Sequence, residues 1–577
     1  MRLRYISIKN YPPLNDIALS FSPESPLKRE CAIRFVVGVN GSGKTHLLQV
    51  LLEVFLCLAR QQKPHFPVTL VYDLGKKDRA RTLIFHNPGS NGKPQWWQSN
   101  LEKHRSLKNH QLDDWQKLIS SVQKGNNSWE PLIKDGSWPG KKVGLPRMVI
   151  AYTTGERGPW KEILHSEPPA DDVDIISQSL DYDTNQERPP GWSLQKEINH
   201  QGQVGIEDGS SIVQSLKTRK MEYGTRESEQ EICQLITPLL LKFALVSVSL
   251  PLAMEEFRTH KTEKEQKVFI RKIKTEPDQE KGLRRLLNQV GWVWPICFSF
   301  TVDFNPNDWS EAESKLKKSL FQKLYEFASE VIREPEPDSR RRLFFDLMAK
   351  NKANDANNYV GDALLEFLGG INSQPNDYFK RLLDLHQQGV IENIQIAIRC
   401  TSTNDLLLFD ELSDGEQVFL GRMALFHLMQ GEDDALLLLD EPEVHFNDKW
   451  KREIVDILDD VLQDTANDVL IATHSSITLT DVFNDEIILF KKQNGSSQVV
   501  PIRSTTFGAD PSEVMIRLFD VPDSIGERAL EWLDKQLDRD WTQASREELK
   551  DLIKKVGPGF HRSELRAILR RLEKSAS

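Results

Sequence analysis

The sequence is poor in cysteine and lacks the features that define several protein classes. Its 577 residues contain five cysteines and no CxxC pair, so a zinc-finger-type site is not expected. Sparse thiols in odd number are typical of a reducing cytoplasm rather than of a disulfide-stabilised secreted protein. The opening residues, MRLRYISIKNYPPLND, contain no apolar signal core.

Long apolar runs and repeats are also missing. The longest apolar run, 239–254, is interrupted by Lys242 and Pro251, and we expect it to be too short to span a bilayer. No internal repeat or sustained heptad pattern is present, which argues against a solenoid or an extended coiled coil. The net charge of −10 argues against a surface that binds nucleic acid throughout. These features predict a cytoplasmic protein without membrane association.

The hydrophobic patterns divide the chain into four segments. Residues 1–156 and 391–510 alternate between strand and helix patterns, and we assign them to two lobes of one α/β domain with a mixed sheet. Residues 157–390 are predicted to form a mainly helical insertion, and 511–577 a helical, amphipathic tail. Within the insertion, 166–224 are polar and rich in proline, so loops are expected there.

Residues 38–45 carry the most informative motif. They read GVNGSGKT, which matches GxxxxGK[ST], and they lie between a β-branched strand and an amphipathic helix that begins at Lys44. The glycines let backbone N–H groups surround phosphates, and the helix N-terminus adds a partial positive charge. Lys44 is expected to reach the β- and γ-phosphates and Thr45 to hold Mg²⁺. The predicted nucleotide-binding residues here are Asn40, Gly41, Ser42, Gly43, Lys44 and Thr45.

A second motif is the unbroken apolar run 436–439, which ends in Asp440 and Glu441. Such a run is typical of a parallel strand buried on both faces, and ligands bind at the carboxyl ends of such strands. We predict that Asp440 binds Mg²⁺ and that Glu441 polarises the water that attacks the γ-phosphate.

Two weaker segments accompany these motifs. Residues 412–417, LSDGEQ, place Ser413 and Gly415 where a helix N-terminus could face an anion, although the same string also suits a simple helix cap. Residues 468–473 form a predicted strand that is followed by His474. A single histidine after a strand is more often structural than functional.

Together the four segments occur in the order of the ABC ATPases. LSDGEQ resembles the ABC signature LSGGQ, with Asp414 at the first glycine, and GVNGSGKT and DEPEVHF resemble the RecF, OLD and SMC branch. The resemblance covers residues 1–160 and 390–510. It implies an ABC-type P-loop ATPase head in which two copies hold ATP and Mg²⁺ between them, with Ser413 and Gly415 of one subunit facing the γ-phosphate of the other. It also implies catalytic roles for Lys44, Glu441 and His474.

Four segments also resemble a narrower group, the PtuA-type ATPases of bacterial anti-phage systems. These segments are LSDGEQ, LLLLDEPEVHFND, IATHSS and TFGADPSEV. These ATPases occur in Septu and retron-linked sets, often beside an HNH nuclease. The resemblance implies a homodimer or higher oligomer that senses or regulates an effector. Residues 157–390 do not resemble an SMC coiled coil, and no Toprim-like segment follows the last strand, so no nuclease is expected within this chain.

Alternative interpretations remain open on the sequence. One is a RecF-like DNA-repair ATPase acting on DNA ends or gaps; another, less favoured, is a nuclease with its active site in 157–390. The basic clusters at 317–318, 340–342 and 562–571 could contact nucleic acid, although such clusters are usually solvated helix faces. Trp96 and Trp97, in a predicted loop, could form a stacking or partner surface, although packing between the lobes is an equally good interpretation.

Overall fold

The computed structural model describes residues 1–21, 29–165, 232–259, 287, 291–303, 311–333, 340–351, 359–400 and 405–575, except for 77–78, 90–91, 100–103, 105–106, 108–109, 125–128, 135, 141–142 and 494. The predicted loop segment 166–224 lies outside these residues. The chain forms two compact units, one of Met1–Thr473 with Asp485–Val500 and one of His474–Asn484 with Pro501–Ser577.

The strands, in chain order, are β1 (Arg2–Ile8), β2 (Ile17–Ser20), β3 (Ala32–Val37), β4 (Val68–Leu74), β5 (Arg81–Asn87), β6 (Gln95–Ser99), β7 (Trp129–Pro131), β8 (Met148–Thr153), β9 (Cys233–Ile236), β10 (Trp292–Asp303), β11 (Glu330–Arg333), β12 (Arg340–Asp346), β13 (Asn393–Cys400), β14 (Leu406–Leu408), β15 (Ala435–Asp440), β16 (Asp468–Thr473), β17 (Ile487–Gln493) and β18 (Ser496–Val500).

The α-helices of the described residues are α1 (Lys44–Ala59), α2 (Leu112–Gln123), α3 (Gly158–His165), α4 (Pro238–Thr259), α5 (Glu311–Phe327), α6 (Val360–Leu368), α7 (Pro375–Gln387), α8 (Asp414–Leu428), α9 (Asp448–Leu462), α10 (Ser476–Leu479), α11 (Pro511–Phe519), α12 (Glu527–Leu537), α13 (Arg546–Lys555) and α14 (Phe560–Ser575).

A seven-stranded mixed sheet forms the centre of the larger unit. Its order is β18-β17-β3-β16-β15-β8-β9, and every neighbouring pair is parallel except β17 and β18. All residues of β3, β8, β15 and β16 are buried, as expected for parallel strands that are covered on both faces. The predicted α/β class with a mixed sheet is therefore confirmed.

Helix α1 packs against both this sheet and a second, antiparallel sheet of order β2-β1-β4-β5-β6-β7. Its buried residues lie all around the helix, and they form one core cluster with residues of both sheets. A helix that is apolar on every side is stable only when it is enclosed in this way. The register of β1 and β4 shifts between Leu3 and Tyr5, as at a β-bulge.

Trp96 and Trp97 do not lie in a loop, as the sequence suggested, but in β6. Trp96 is buried in the core cluster that α1 shares with the two sheets. Because glycine and proline residues precede Gln95, the predicted loop extended too far along the chain and included residues of β6. No stacking surface for a partner follows from this pair.

The insertion contains strands that the sequence analysis missed. Helices α3 to α7 make up most of its described residues, but four strands also lie within 157–390. Strand β9 is the edge strand of the central seven-stranded sheet, and the other three are β10, β11 and β12. They join β13 and β14 in an antiparallel sheet of order β11-β12-β10-β13-β14. The prediction that the strands after residue 390 return to the first lobe was therefore wrong for β13 and β14. An alternating pattern identifies a half-buried strand but does not identify its neighbour.

The apolar run around 239–254 forms a longer helix than expected. Helix α4 continues through Pro251 over 22 residues, and by length and composition it could cross a membrane. However, 72% of its most apolar window is buried within the protein. The hydroxyls of Ser247 and Ser249 donate to the carbonyl oxygens of Phe243 and Leu245, which satisfies them inside the helix. Helix α4 has the burial of a core helix.

The secondary structure of the smaller unit is helical. Helices α12, α13 and α14 surround a small core of Trp541, Leu549, Ile553 and Leu565. In its other part, the rings of Phe483 and Phe507 stack with centroids 4.0 Å apart.

A buried ion pair in the central sheet is also bonded to β1 of the second sheet. Asp468, at the start of β16, pairs with Arg34 of β3 and accepts a hydrogen bond from the backbone N–H of Leu3 in β1 at 2.6 Å. Arg34 also donates to the carbonyl oxygen of Leu3 at 3.2 Å. Both charged side chains are buried, so the attraction between them offsets part of the free-energy cost of removing each charge from water.

We therefore expect Asp468→Ala to lower the free energy of unfolding by about 3–5 kcal/mol, because the variant leaves a buried guanidinium without its counter-charge. Urea unfolding followed by tryptophan fluorescence measures this change. Asp456→Ala, at an exposed position of α9, is the matched control and should have little effect. Equal unfolding midpoints for the two variants would contradict the assignment.

Candidate functional site

Three polar residues meet at the carboxyl edge of the central sheet because their strands are parallel and aligned. Asp440, the last residue of β15, is level with Thr153 of β8 and Ala472 of β16. Thr473 is in turn level with Val37, the last residue of β3. The phosphate loop leaves β3 at this same edge, so motifs far apart in sequence converge there.

The phosphate loop has the backbone that its glycines permit. Gly41 and Gly43 have φ values of 75° and 99°, which L-residues with side chains rarely adopt. A Cβ atom at Gly43 would lie 2.5 Å from Ser497 Oγ and 2.8 Å from Leu14 Cδ2. Ser42 is fully buried, and its Oγ has no hydrogen-bond partner among the described residues.

Lys44 is the buried cation of this loop. Its Nζ donates to the carbonyl oxygens of Gly38 at 2.8 Å and Val39 at 3.3 Å. Burial lowers the pKa of Lys44, and the carboxylates of Glu441, Asp440 and, more weakly, Glu443 oppose that shift. Lys44 and the carboxylates at and after the end of β15 are therefore close enough to interact electrostatically.

Asp440 is bonded to both neighbouring segments. It accepts a hydrogen bond from Thr45 Oγ1 at 2.9 Å and another from Thr153 Oγ1 at 3.0 Å. Burial raises the pKa of Asp440, the neighbouring Glu441 carboxylate raises it further, and the two hydroxyls and Lys44 act in the opposite direction. The predicted Mg²⁺ ligands Thr45 and Asp440 are therefore side by side.

Glu441 occupies a strained position at the end of β15. Its φ is 50°, in the left-handed region, and its N–H donates to the carbonyl oxygen of Ala472 at 2.8 Å. Such backbone strain often marks functional sites. Two residues further along, Glu443 is buried and accepts a hydrogen bond from Thr473 Oγ1. Glu443 and the two threonines, Thr153 and Thr473, were not predicted as site residues, although each follows or ends a buried parallel strand.

The signature segment forms the start of α8. Ser413 is the N-cap, and its N–H and Oγ both donate to Glu416 Oε2, at 3.0 and 2.6 Å. This is a capping box, so the helix-cap reading of the string is correct as local structure. Asp414, in the first turn, is compatible with the positive end of the helix. Ser413 and Asp414 are both exposed.

The signature helix is held against the loop that follows Glu441. A Cβ atom at Gly415 would lie 3.0 Å from the carbonyl oxygen of His445, so the two backbones are close together. The rings of Phe419 and Trp450 stack at 4.3 Å. Arg422, which is 1% exposed, donates to the carbonyl oxygens of Pro442 and Val444. A single arginine in the apolar run 418–426 was the sequence signal for this contact, and the sequence analysis did not use it.

The signature helix also contacts the insertion. Trp292, the first residue of β10, donates its indole N–H to Glu416 Oε1 at 3.1 Å. Glu416 therefore binds the signature serine with one carboxylate oxygen and the insertion sheet with the other.

His474 directly follows β16 but belongs to the smaller unit. Its assignment as the residue that contacts the γ-phosphate stays a prediction. The other predicted residues lie in the larger unit. Asn40 and Gly41 form the exposed tip of the phosphate loop, and Ser42, Gly43 and Lys44 are buried behind it.

The residues of this site fit a nucleoside triphosphate with Mg²⁺. The loop supplies backbone N–H groups at a helix N-terminus, a buried ammonium group, and a buried serine hydroxyl that has no hydrogen-bond partner in the part of the chain that the structure describes. Thr45 and Asp440 supply neighbouring oxygen ligands of the type that Mg²⁺ prefers.

Comparison with known proteins gives one family match. The family model described as "AAA domain, putative AbiEii toxin, Type IV TA system" matches residues 326–481, which include the signature helix and the acidic strand but not the phosphate loop. No curated protein matches the chain. Together with the fold and the site, this match defines a P-loop ATPase domain.

Similar solved structures include heads of SMC proteins. The SMC head domain with an extended coiled coil, bound to the C-terminal domain of ScpA, from Pyrococcus furiosus is 12% identical, with a TM-score of 0.28 over 86% of this chain and 96% of that chain. The SMC head domain from Thermotoga maritima is also 12% identical, with a TM-score of 0.29 over 87% of this chain and 100% of that chain. At such TM-scores the likeness carries no further conclusion.

The burial of Asp440 predicts a stability difference that depends on pH. A carboxyl group whose pKa is higher in the folded than in the unfolded state destabilises the fold above its folded pKa, and this cost disappears below the unfolded pKa. Asp440→Asn removes the charge but keeps an oxygen that can accept from Thr45. Without nucleotide or Mg²⁺, we expect the variant to melt about 2 °C or more above the wild type at about pH 7, and the difference to shrink towards about pH 4.

Differential scanning fluorimetry across this pH range measures the effect. Asp448→Asn is the control, because the Asp448 side chain is 73% exposed and should leave the melting temperature nearly unchanged. A lower melting temperature for Asp440→Asn than for the wild type at neutral pH would show that the carboxylate is not a destabilising group.

Proposed function

We propose that the protein is an ABC-type ATPase in which two copies close on ATP and Mg²⁺. The observation that carries this proposal is the contact of Thr45 with Asp440, beside the buried Lys44, because it unites the phosphate loop with the acidic strand. Thr45 and Asp440 would hold Mg²⁺, and Lys44 would bind the β- and γ-phosphates. Glu441 would orient the water that attacks the γ-phosphate in line.

The second copy would supply the signature segment. Ser413 and Asp414 are exposed at the start of α8, and the tip of the phosphate loop at Asn40 and Gly41 is exposed as well. The start of α8 in one copy and the phosphate loop in the other could form an interface related by a twofold axis. In that interface, Ser413 of each copy would face the phosphates bound by the other copy. His474 would complete each site. The homodimer is thus the smallest active form that we propose.

The insertion would transmit the state of the nucleotide site. Trp292 donates a hydrogen bond to Glu416, which in turn binds Ser413, so a displacement of the signature serine changes a contact of the five-stranded sheet. A coupling of this kind needs an element with two arrangements, and the opening and closing of the dimer would supply it.

The biological setting we propose is regulation of an effector, an HNH nuclease among the candidates, in cytoplasmic prokaryotic defence against phage. The support is the sequence resemblance of LSDGEQ, LLLLDEPEVHFND, IATHSS and TFGADPSEV to the PtuA-type ATPases of Septu and retron-linked systems. The smaller unit exposes Trp532 and Phe560, with 48% and 69% of each residue accessible. Such aromatic residues are enriched at protein interfaces.

Lys44→Ala should weaken ATP binding by about tenfold or more, because it removes a charge-assisted contact worth about 1.5–3 kcal/mol. Titration of a fluorescent ATP analogue into the purified protein measures the loss. Lys63→Ala, distant from the loop in sequence, is the control for the change of net charge. Unaltered ATP affinity in Lys44→Ala would argue against the phosphate-binding role of the loop.

Glu441→Gln should bind ATP normally, hydrolyse it at least about a hundredfold more slowly, and accumulate as an ATP-dependent dimer. The amide keeps the shape of the carboxylate but cannot polarise water. Phosphate release and light scattering with and without ATP measure the two effects. Glu453→Gln, on α9, is the control. Hydrolysis by Glu441→Gln at the wild-type rate would refute its assigned role.

A further inference from the structure

A loop of the smaller unit, residues 504–508, binds the segment of chain that directly follows His474. The unit consists of His474–Asn484 and Pro501–Ser577, and its residues up to 575 are all described. The string TFGADPSEV starts in this loop at Thr506 and continues into α11. The proposed ATPase mechanism gives the loop no role.

Helix α10 is a single turn whose own hydrogen bonds are long. It spans Ser476–Leu479, and Ser475 is its N-cap. The backbone N–H groups of residues 479–482 donate to carbonyl oxygens three or four residues earlier at 3.3 to 3.4 Å, whereas such bonds usually measure about 2.9–3.0 Å. A single helical turn is unstable in isolation, because its few hydrogen bonds do not offset the entropy lost on ordering. The conformation of residues 475–482 therefore depends on contacts with other segments.

The loop supplies shorter hydrogen bonds to the end of this turn. Thr506 Oγ1 donates its proton to the carbonyl oxygen of Val482 at 2.6 Å, with Asn484 Oδ1 as a more distant acceptor at 3.0 Å. The N–H of Gly508 donates to the carbonyl oxygen of Thr480, the C-cap of α10, at 2.7 Å. Carbonyl groups at and beyond the C-terminal end of a helix lack partners within it, so the loop satisfies groups that α10 leaves open. Thr506 is fully buried, so water does not replace its hydroxyl.

Further contacts attach the loop along its length. Asn484 Oδ1 accepts from the N–H of Thr506 at 3.1 Å, and Asn484 Nδ2 donates to the carbonyl oxygen of Ser504 at 2.9 Å. The rings of Phe483 and Phe507 stack at 4.0 Å with an interplanar angle of 7°. The core of α12, α13 and α14 is formed by residues 537–572 instead. The loop therefore stabilises the segment after His474 rather than the core of the helical tail.

We propose that loop 504–508 is a positioning element for His474, with Thr506 as its central residue. This rests on the proposed function, in which His474 completes the nucleotide site. Only Ser475 separates His474 from α10, so a displacement of α10 also moves the backbone of His474. The short bonds from the loop set the place of α10, since the long bonds within the turn do not. The smaller unit thereby acts on ATP hydrolysis through the orientation of this histidine.

The test replaces the buried hydroxyl in the full chain and measures steady-state ATP hydrolysis. Thr506→Val keeps the shape of the side chain but leaves a buried carbonyl group without its donor, so kcat should fall by about tenfold. The KM for ATP should change little, because the phosphate loop is unaltered. Thr506→Ser retains the hydroxyl and should hydrolyse ATP at close to the wild-type rate. The matched control Thr505→Val removes an exposed hydroxyl from the adjacent residue and should behave like the wild type.

A second background shows whether the effect passes through His474. In His474→Ala, the further change Thr506→Val should cause no additional loss of rate, because residues that act as a unit have non-additive effects. A loss of the same factor in both backgrounds would overturn the proposal, and so would hydrolysis at the wild-type rate by Thr506→Val or by His474→Ala. A rise in KM without a fall in kcat would also overturn it, since that pattern indicates a weakened binding site.

Hydrogen exchange followed by mass spectrometry tests the attachment of the segment without nucleotide. The backbone amides of residues 475–484 should exchange faster in Thr506→Val than in Thr505→Val or the wild type, because their segment opens more readily. Unchanged exchange in Thr506→Val would overturn the proposal whatever the rates of hydrolysis. A wild-type protein that does not hydrolyse ATP would instead refute the proposed function, while faster exchange in Thr506→Val would still support the attachment of this segment to the loop.

Discussion

The hydrogen bond between Thr45 and Asp440 joins residues that are 395 positions apart, and the candidate site depends on it. It forms because β3, β16, β15 and β8 are parallel neighbours whose carboxyl ends are level. The same alignment places Thr153 on the second oxygen of Asp440 and Thr473 on Glu443. A shift of one strand by a single residue would separate these groups, so the buried register of the sheet is the constraint that the chemistry requires.

A second set of contacts joins the acidic strand to the signature helix. Arg422 fixes the carbonyl groups of the loop after Glu441, and Phe419 stacks on Trp450 of the following helix. The end of β15, this loop and the first turns of α8 are thus one packed group. Because Glu416 contacts Trp292, the group extends to strand β10 of the five-stranded sheet.

The sequence predicted those parts of the fold whose residue pattern is compatible with only one local structure. GVNGSGKT requires positive φ at Gly41 and Gly43, and an apolar run that ends in Asp440 requires burial on two faces. The insertion had no such constraint, because alternating apolar residues specify a strand but not its partner, and so the sheet around β10 was missed. Thr153 and Arg422 were missed because one residue at a strand end or in an apolar helix acquires its meaning only from its neighbours in space. The role of His474 is still a prediction.

The central claim is that each nucleotide site is shared between two copies, and mixing two inactive variants tests it most directly. Lys44→Ala disables the phosphate loop of one copy, and Ser413→Arg blocks the signature of the other. A mixed dimer therefore retains one intact shared site, formed by the unaltered loop of one copy and the unaltered signature of the other. If the subunits exchange freely, the mixture should hydrolyse ATP at about a quarter of the wild-type rate, since half of the dimers are mixed and each has one working site of two. A mixture as inactive as either variant alone would show that the site is not shared.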